Sequence, residues 1–251
     1  MIFPYGDDQV KGGHFPLFSY GFIAINILVF LFQTQFDGQL VCQFGAIPYD
    51  VLHKGEWYTL FTSMFLHGGW WHLIGNMLFL WVFADNIEAT VGNFRFLLFY
   101  LIGGLVAVST HIYFNMGESA YCCAPCGEGV PCMGGISACA DMTPMVGASG
   151  AIAAVMGAYL VMFPGSRIKL FFFIFPFRLP AFIFLGIWIY QQWLAGAEAL
   201  RAVASESQGV AWWAHIGGFG FGLLAGLLFR IQRNRNLPKE EATYWDPDAG
   251  D

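Results

Sequence analysis

Charge is what this sequence has least of. Asp, Glu, Lys and Arg make up only 11% of its 251 residues, less than half of the roughly 25% usual in a soluble domain. Hydrophobic residues reach 57%, with 27 phenylalanines, so the few charges cannot cover a water-facing surface. The composition is that of a polytopic membrane protein and argues against a disordered chain or a nucleic-acid module. The net charge of −6 says little, because in a bilayer the position of charges matters more than their sum. Residues 1–16 lack a basic start and a long apolar run, so no cleavable signal peptide is expected. No internal repeat is visible, which weighs against repeat-built transporter folds. No His-Glu pair with HExxH spacing exists, which excludes that class of metalloprotease.

Six apolar stretches are long enough, or nearly so, to cross a hydrocarbon core of about 30 Å. They fall at about 17–36, 70–88, 94–114, 146–163, 180–196 and 210–230, which predicts an all-α, six-helix membrane bundle. The fourth is short and Gly-rich at its start, which is tolerated only where that end faces protein or water. With the N-terminus in the cytoplasm, Lys11, Arg95, Arg167, Lys169, Arg178, Arg230, Arg233, Arg235 and Lys239 lie inside, and only Lys54 and Arg201 lie outside. The opposite topology inverts this 9 to 2 split, so both termini are expected on the cytoplasmic side; a cell (inner) membrane location is expected only by analogy with other compact six-helix chains. The expected organisation is a cytoplasmic segment 1–16, a membrane domain 17–231 and a polar cytoplasmic tail 232–251. Apolar patches at Ala46–Leu52 and Trp57–Leu66 are expected to lie at the interface as short helices.

This topology puts all six cysteines outside: Cys42 in the first outer loop, and Cys122, Cys123, Cys126, Cys132 and Cys139 in the second, about 115–145. An even count on the oxidising side points to disulfides. Five cysteines in one loop cannot all pair among themselves, so Cys42 is the natural candidate for a bridge between loops. A metal site on Cys123-Ala-Pro-Cys126 and free thiols remain alternatives. A redox CxxC pair is weaker, because the motif lies in a loop and not at a helix N-terminus.

Polar groups within a bilayer are costly and are functional candidates by default. Three segments carry them: His72-Leu-Ile-Gly-Asn76, Gly147-Ala-Ser149-Gly150, and Ala214-His215-Ile-Gly-Gly218 followed by Gly222 and Gly226. Counted from the cytoplasmic ends, Ser149 lies about 21 Å deep, His215 about 22 Å and His72 about 24 Å, at about 1.5 Å per helical residue. All three helices run outside to inside, so these side chains share one level. A serine becomes a nucleophile when a nearby histidine takes its proton. Ser149 opens a helix, whose N–H groups and dipole favour an oxyanion. His72 and Asn76 are four apart, on one helical face, and can donate to the same oxyanion. Gly147 and Gly150 give a sharp backbone. Gly218, Gly222 and Gly226 let the sixth helix approach a neighbour, and the fourth is the expected one. No Asp or Glu lies at this depth, so a Ser149–His215 dyad is expected, not a triad. No metal or other cofactor is implied.

These residues resemble the rhomboid family of intramembrane serine proteases. The resemblance covers about residues 15–231. It rests on His67-Gly-Gly-Trp-Trp-His72-Leu-Ile-Gly-Asn76, Glu88-Ala-Thr-Val-Gly92, Gly147-Ala-Ser149-Gly150 and Ala214-His215 with its glycines, in order on a six-helix chain. It implies Ser149 as nucleophile, His215 as base, and an oxyanion hole from His72, Asn76 and Ser149. Glu88 and Gly92 are expected to fix a helix turn. It further implies cleavage of transmembrane protein substrates near their outer ends, with lateral entry gated by the fifth helix. The Trp-Arg pair usual in the first outer loop is replaced by Tyr58-Thr59. The aromatic usual one turn after the serine is Ala153, so either His215 is less tightly oriented or another ring, Trp212 or Trp213, substitutes. A non-catalytic, rhomboid-like binder of membrane proteins is the alternative, although such relatives typically lack the serine or the histidine. A transporter using buried histidines is disfavoured by the absence of repeats and of paired carboxylates.

Overall fold

Each of the six apolar stretches folds as a helix in the computed structural model, which describes residues 2–8, 15–36, 38–116, 126, 140–172, 175–201 and 211–236. They are α1 (Leu17–Gln33), α4 (Trp70–Val91), α5 (Asn93–Phe114), α6 (Ser149–Met162), α7 (Ala181–Arg201) and α8 (Trp212–Asn236). Two short helices, α2 (Gln39–Phe44) and α3 (Thr59–Thr62), and helical turns at Asp50–Lys54 and Ser63–Phe65 lie between α1 and α4. Proline and glycine set the breaks: Pro16 precedes α1, Pro164-Gly165 follow α6, and Pro180 precedes α7. Two helices, Asn93–Phe114 and Trp212–Arg233, are by themselves long and apolar enough to cross a bilayer, whereas Leu17–Gln33 and Ser149–Met162 are shorter apolar helices.

The shortest of the six is the innermost. α6 packs against α4, α5, α7 and α8, and every residue from Gly150 to Tyr159 is buried. Its small residues make this possible. A Cβ on Gly218, Gly222 or Gly157 would overlap a backbone carbonyl oxygen of the facing helix, and one on Gly226 would lie 2.8 Å from the Ala158 Cα. α6 and α8 therefore meet backbone to backbone. α1 lies against α4 and α5, where Phe22 stacks on Tyr100 with ring centroids 4.1 Å apart.

The expected all-α class needs correction, because the fold is mostly helical but also has a small sheet. Strands β1 (Ile2–Gly6), β2 (Arg167–Phe172) and β3 (Phe175–Pro180) form an antiparallel sheet in that order. Its register pairs Phe3 with Phe171 and Leu170 with Phe177. Two-residue alternation explains it: Ile168 and Leu170 are fully buried, while Arg167 and Phe171 face outward. β1 is tied down by side chains as well. Buried Asp7 accepts hydrogen bonds from Asn86 Nδ2 at 2.5 Å and from the Tyr159 hydroxyl, and Lys169 Nζ donates to its carbonyl at 2.8 Å.

The apolar patches after α1 do more than line an interface. Ala46, Val51 and Met145 belong to a second core with Val108 and Ala214, and Ala46 bridges Met145 through paired backbone hydrogen bonds of 3.0 and 2.9 Å. The outer faces of these patches, Trp57 and Phe61 among them, remain exposed.

Candidate active site

Ser149 is the first residue of α6. The chain reaches it through Gly147, whose φ of +123° suits glycine and whose N–H donates to the Ser63 carbonyl at 2.9 Å. A Cβ at Gly147 would lie 2.7 Å from His72 Nε2 and 3.4 Å from Asn76 Nδ2. The bend thus lays the backbone directly over those two side chains. Ala148 provides no side-chain cap, so the N–H groups of the first turn of α6 are not taken by a capping side chain.

His72 and Asn76 sit on successive turns of α4. Gly68 N–H donates to His72 Nδ1 at 3.3 Å. With Nδ1 accepting, the proton of a neutral imidazole resides on Nε2, the atom facing Gly147. Asn76 Nδ2 is buried and has no hydrogen-bond partner among the described residues. Two donors therefore converge beside the start of α6.

His215 lies in the first turn of α8, and its Nε2 is 2.8 Å from Ser149 Oγ. The glycines along α8 bring these two groups together, since Gly218 rests against the Gly150 carbonyl. On the other side of the ring, Nδ1 is 2.7 Å from Gln192 Oε1 on α7. A carboxylate is the usual partner at this nitrogen, and an amide stands there instead. A buried glutamine in an apolar helix was the available signal. Ala153 leaves the position one turn after the serine empty of aromatic mass, and the ring comes from elsewhere. Trp188 lies 5.6 Å from the His215 ring and Trp212 6.4 Å away, edge on. Trp213, the other residue expected there, stacks on Phe114 instead, at 3.9 Å.

The remaining expected residues have scaffold positions. Glu88 is fully buried and caps α1, accepting from Phe18 N at 2.8 Å, Ser19 N at 2.7 Å and Ser19 Oγ at 2.6 Å. Gly92, at φ +87°, makes the break between α4 and α5. Tyr58 and Thr59 bond to the Gln43 and Glu56 carbonyls at 3.1 and 2.7 Å, which anchors the loop in place of a Trp-Arg pair. A further anchor ties α1 to this loop: the Gln33 amide donates to the His67 carbonyl at 2.6 Å and accepts its N–H at 3.0 Å. Burial pushes the His67 imidazole down to about 3, with the neighbouring His72 adding to the shift.

Cys42 and Cys126 have their Cα atoms 5.4 Å apart and their sulfurs at bonding distance. Cys122, Cys123, Cys132 and Cys139 lie outside the described residues. Among the described residues, no group of three or more His, Cys, Asp or Glu is arranged to hold a metal ion.

A family model described as Rhomboid domain matches residues 54–232. The chain is 36% identical over 110 residues to rhomboid protease GluP of Bacillus subtilis, an alignment covering 42% of this chain and 22% of that protein. It is 30% identical over 215 residues to the mitochondrial RHOMBOID-like protein 12 of Arabidopsis thaliana, covering 86% and 59%. It is 24% identical over 229 residues to the mitochondrial Rhomboid protein 1 of Saccharomyces cerevisiae, covering 90% and 58%. The chain thus spans between about a fifth and three fifths of the length of these relatives.

Proposed function

This chain belongs to the rhomboid family, and from that premise we propose that it is an intramembrane serine endopeptidase acting on transmembrane segments of other proteins. The observation that carries the reading is the 2.8 Å separation between Ser149 Oγ and His215 Nε2, within reach for direct proton transfer. Ser149 Oγ attacks the scissile carbonyl as His215 Nε2 takes its proton. The negative charge that develops on the carbonyl oxygen meets His72 Nε2–H, Asn76 Nδ2–H and the N–H groups opening α6. Collapse of this intermediate expels the amine, which takes the proton from His215 and leaves an acyl-enzyme. Water, deprotonated by the same histidine, then releases the acid.

In this reading α1, α4, α5, α6, α7 and α8 are the six membrane spans of a domain from 17 to 231. The 9 to 2 distribution of basic residues supports cytoplasmic termini and an active site opening to the outer side of a cell membrane. The approach of Cys42 and Cys126 supports a disulfide between the two outer loops. Non-reducing electrophoresis of wild type and Cys42→Ser tests it: a mobility difference that disappears with reductant is expected, and identical mobility refutes the bridge.

The deciding experiment labels the purified protein with a fluorophosphonate probe, alongside cleavage of a reporter transmembrane substrate. Wild type is expected to label and cleave, and Ser149→Ala and His215→Ala to do neither while remaining folded. A folded wild type that ignores both reagents is instead a non-catalytic binding protein.

A further inference from the structure

We propose that Gln192 of α7 is a positioning residue for His215: its side-chain carbonyl accepts the Nδ1–H of the imidazole and holds the tautomer whose Nε2 can receive the Ser149 proton. The inference rests on the protease reading given above. The ring is held at both nitrogens, with Nδ1 2.7 Å from Gln192 Oε1 and Nε2 2.8 Å from Ser149 Oγ. Gln192 is buried, at 6% exposure, so solvent does not compete strongly for its amide. Its NH2 end points to the Trp188 carbonyl, 3.4 Å away, which leaves the oxygen end for the histidine. An amide oxygen can only accept. The single proton of a neutral imidazole is therefore on Nδ1, and the lone pair on Nε2 faces the serine hydroxyl. The reversed amide would force the proton onto Nε2 and leave the serine without a base.

Gln192 and Trp188 lie four residues apart on one face of α7, and the Trp188 ring sits 5.6 Å from the same imidazole. One helix face thus sets both the proton and the plane of the ring. A carboxylate would set the tautomer too, but burying it at this depth carries a large desolvation cost that an amide avoids. The arrangement is a triad in geometry with a neutral third member.

The test uses the full chain in detergent, a reporter transmembrane substrate, and the variants Gln192→Leu, Gln192→Glu and Ser149→Ala. Gln192→Leu is expected to lower kcat about 10- to 100-fold with KM within about twofold of wild type, as loss of an orienting hydrogen bond allows the wrong tautomer. Gln192→Glu is expected to recover most of the rate and to move the acid limb of kcat/KM upward by about one pH unit, because an adjacent carboxylate favours the imidazolium. Wild-type kcat in Gln192→Leu, or an unmoved acid limb in Gln192→Glu, overturns the positioning role while leaving the protease reading intact. A loss in Gln192→Leu that tracks a lowered melting temperature and is not rescued by Gln192→Glu likewise overturns it in favour of simple packing. If wild type is as inert as Ser149→Ala toward both reporter and fluorophosphonate, the protease reading fails first and takes this role with it.

Discussion

Gly222 of α8 lies so close to Ala154 of α6 that a single added methyl group would overlap the Ala154 carbonyl oxygen. The separation of Ser149 and His215 is therefore set by contact between two backbones. Gly222→Val is expected to destabilise the protein by about 1–3 kcal/mol and to suppress fluorophosphonate labelling by spreading the helices. Gly220, on the same helix, has no atom within 4 Å of its would-be Cβ. Gly220→Ala should keep full labelling and gain up to about 1 kcal/mol of helix stability. Thermal unfolding in detergent with parallel labelling checks both, and equal behaviour of the two variants would count against backbone contact as the determinant.

Asn76 offers a cleaner dissection of chemistry from folding. Its Nδ2 has no partner among the described residues, so Asn76→Ala removes a donor that is idle in this structure. The expected result is a kcat lowered about 10²–10³-fold, the usual effect of losing one oxyanion donor, with an unchanged melting temperature. Steady-state kinetics and calorimetry on the same preparation decide it.

Glu88 should behave in the opposite way. It satisfies two backbone N–H groups and a hydroxyl at the head of α1, and none of these groups touches the serine. Glu88→Ala is expected to cost about 2–4 kcal/mol, with the activity of the folded fraction retained. Glu88→Gln keeps an acceptor in place and should recover part of the loss in a denaturant or thermal titration.

His67 gives the fold a pH dependence of known sign. Its folded value of about 3 lies below the ordinary value near 6.5, so below about pH 6.5 the unfolded chain binds the extra proton. The corresponding stability is complete above pH 6.5 and falls as the pH drops toward 3, by about 2 kcal/mol at pH 5. His67→Phe should flatten the decline in melting temperature between pH 7 and pH 5. An identical slope in both proteins would show that His67 is not the responsible group.

What the sequence made legible follows from the range of the forces involved. The six helices were readable because each is a long apolar run whose breaks carry glycine or proline, a local pattern. The sheet was not, because β1 pairs with β2 across more than 160 residues, and the alternation in Arg167–Phe172 is only six residues long. Glu88 drew notice as half of an ExxxG pattern, yet its task lies on α1, some 70 positions away. Gln192 was missed for a chemical reason: a search for an anion beside His215 passes over a neutral acceptor. The ring beside His215 was expected from its own helix and comes in part from Trp188, because helix crossings bring residues together that spacing along one helix cannot reveal.

The amino end deserves a different treatment from the one usually given to a leading segment. Asp7 reaches the Tyr159 hydroxyl on α6, ten residues, or about 15 Å, from Ser149 along the same helix. Residues 2–8 thus form the footing of the helix whose head carries the serine. Trimming them for expression, or fusing a reporter directly to Ile2, would disturb an edge strand and take the Asp7 carboxylate from a buried phenol, leaving it the Ser166 hydroxyl, so any shortened version needs to be judged first on whether it still folds.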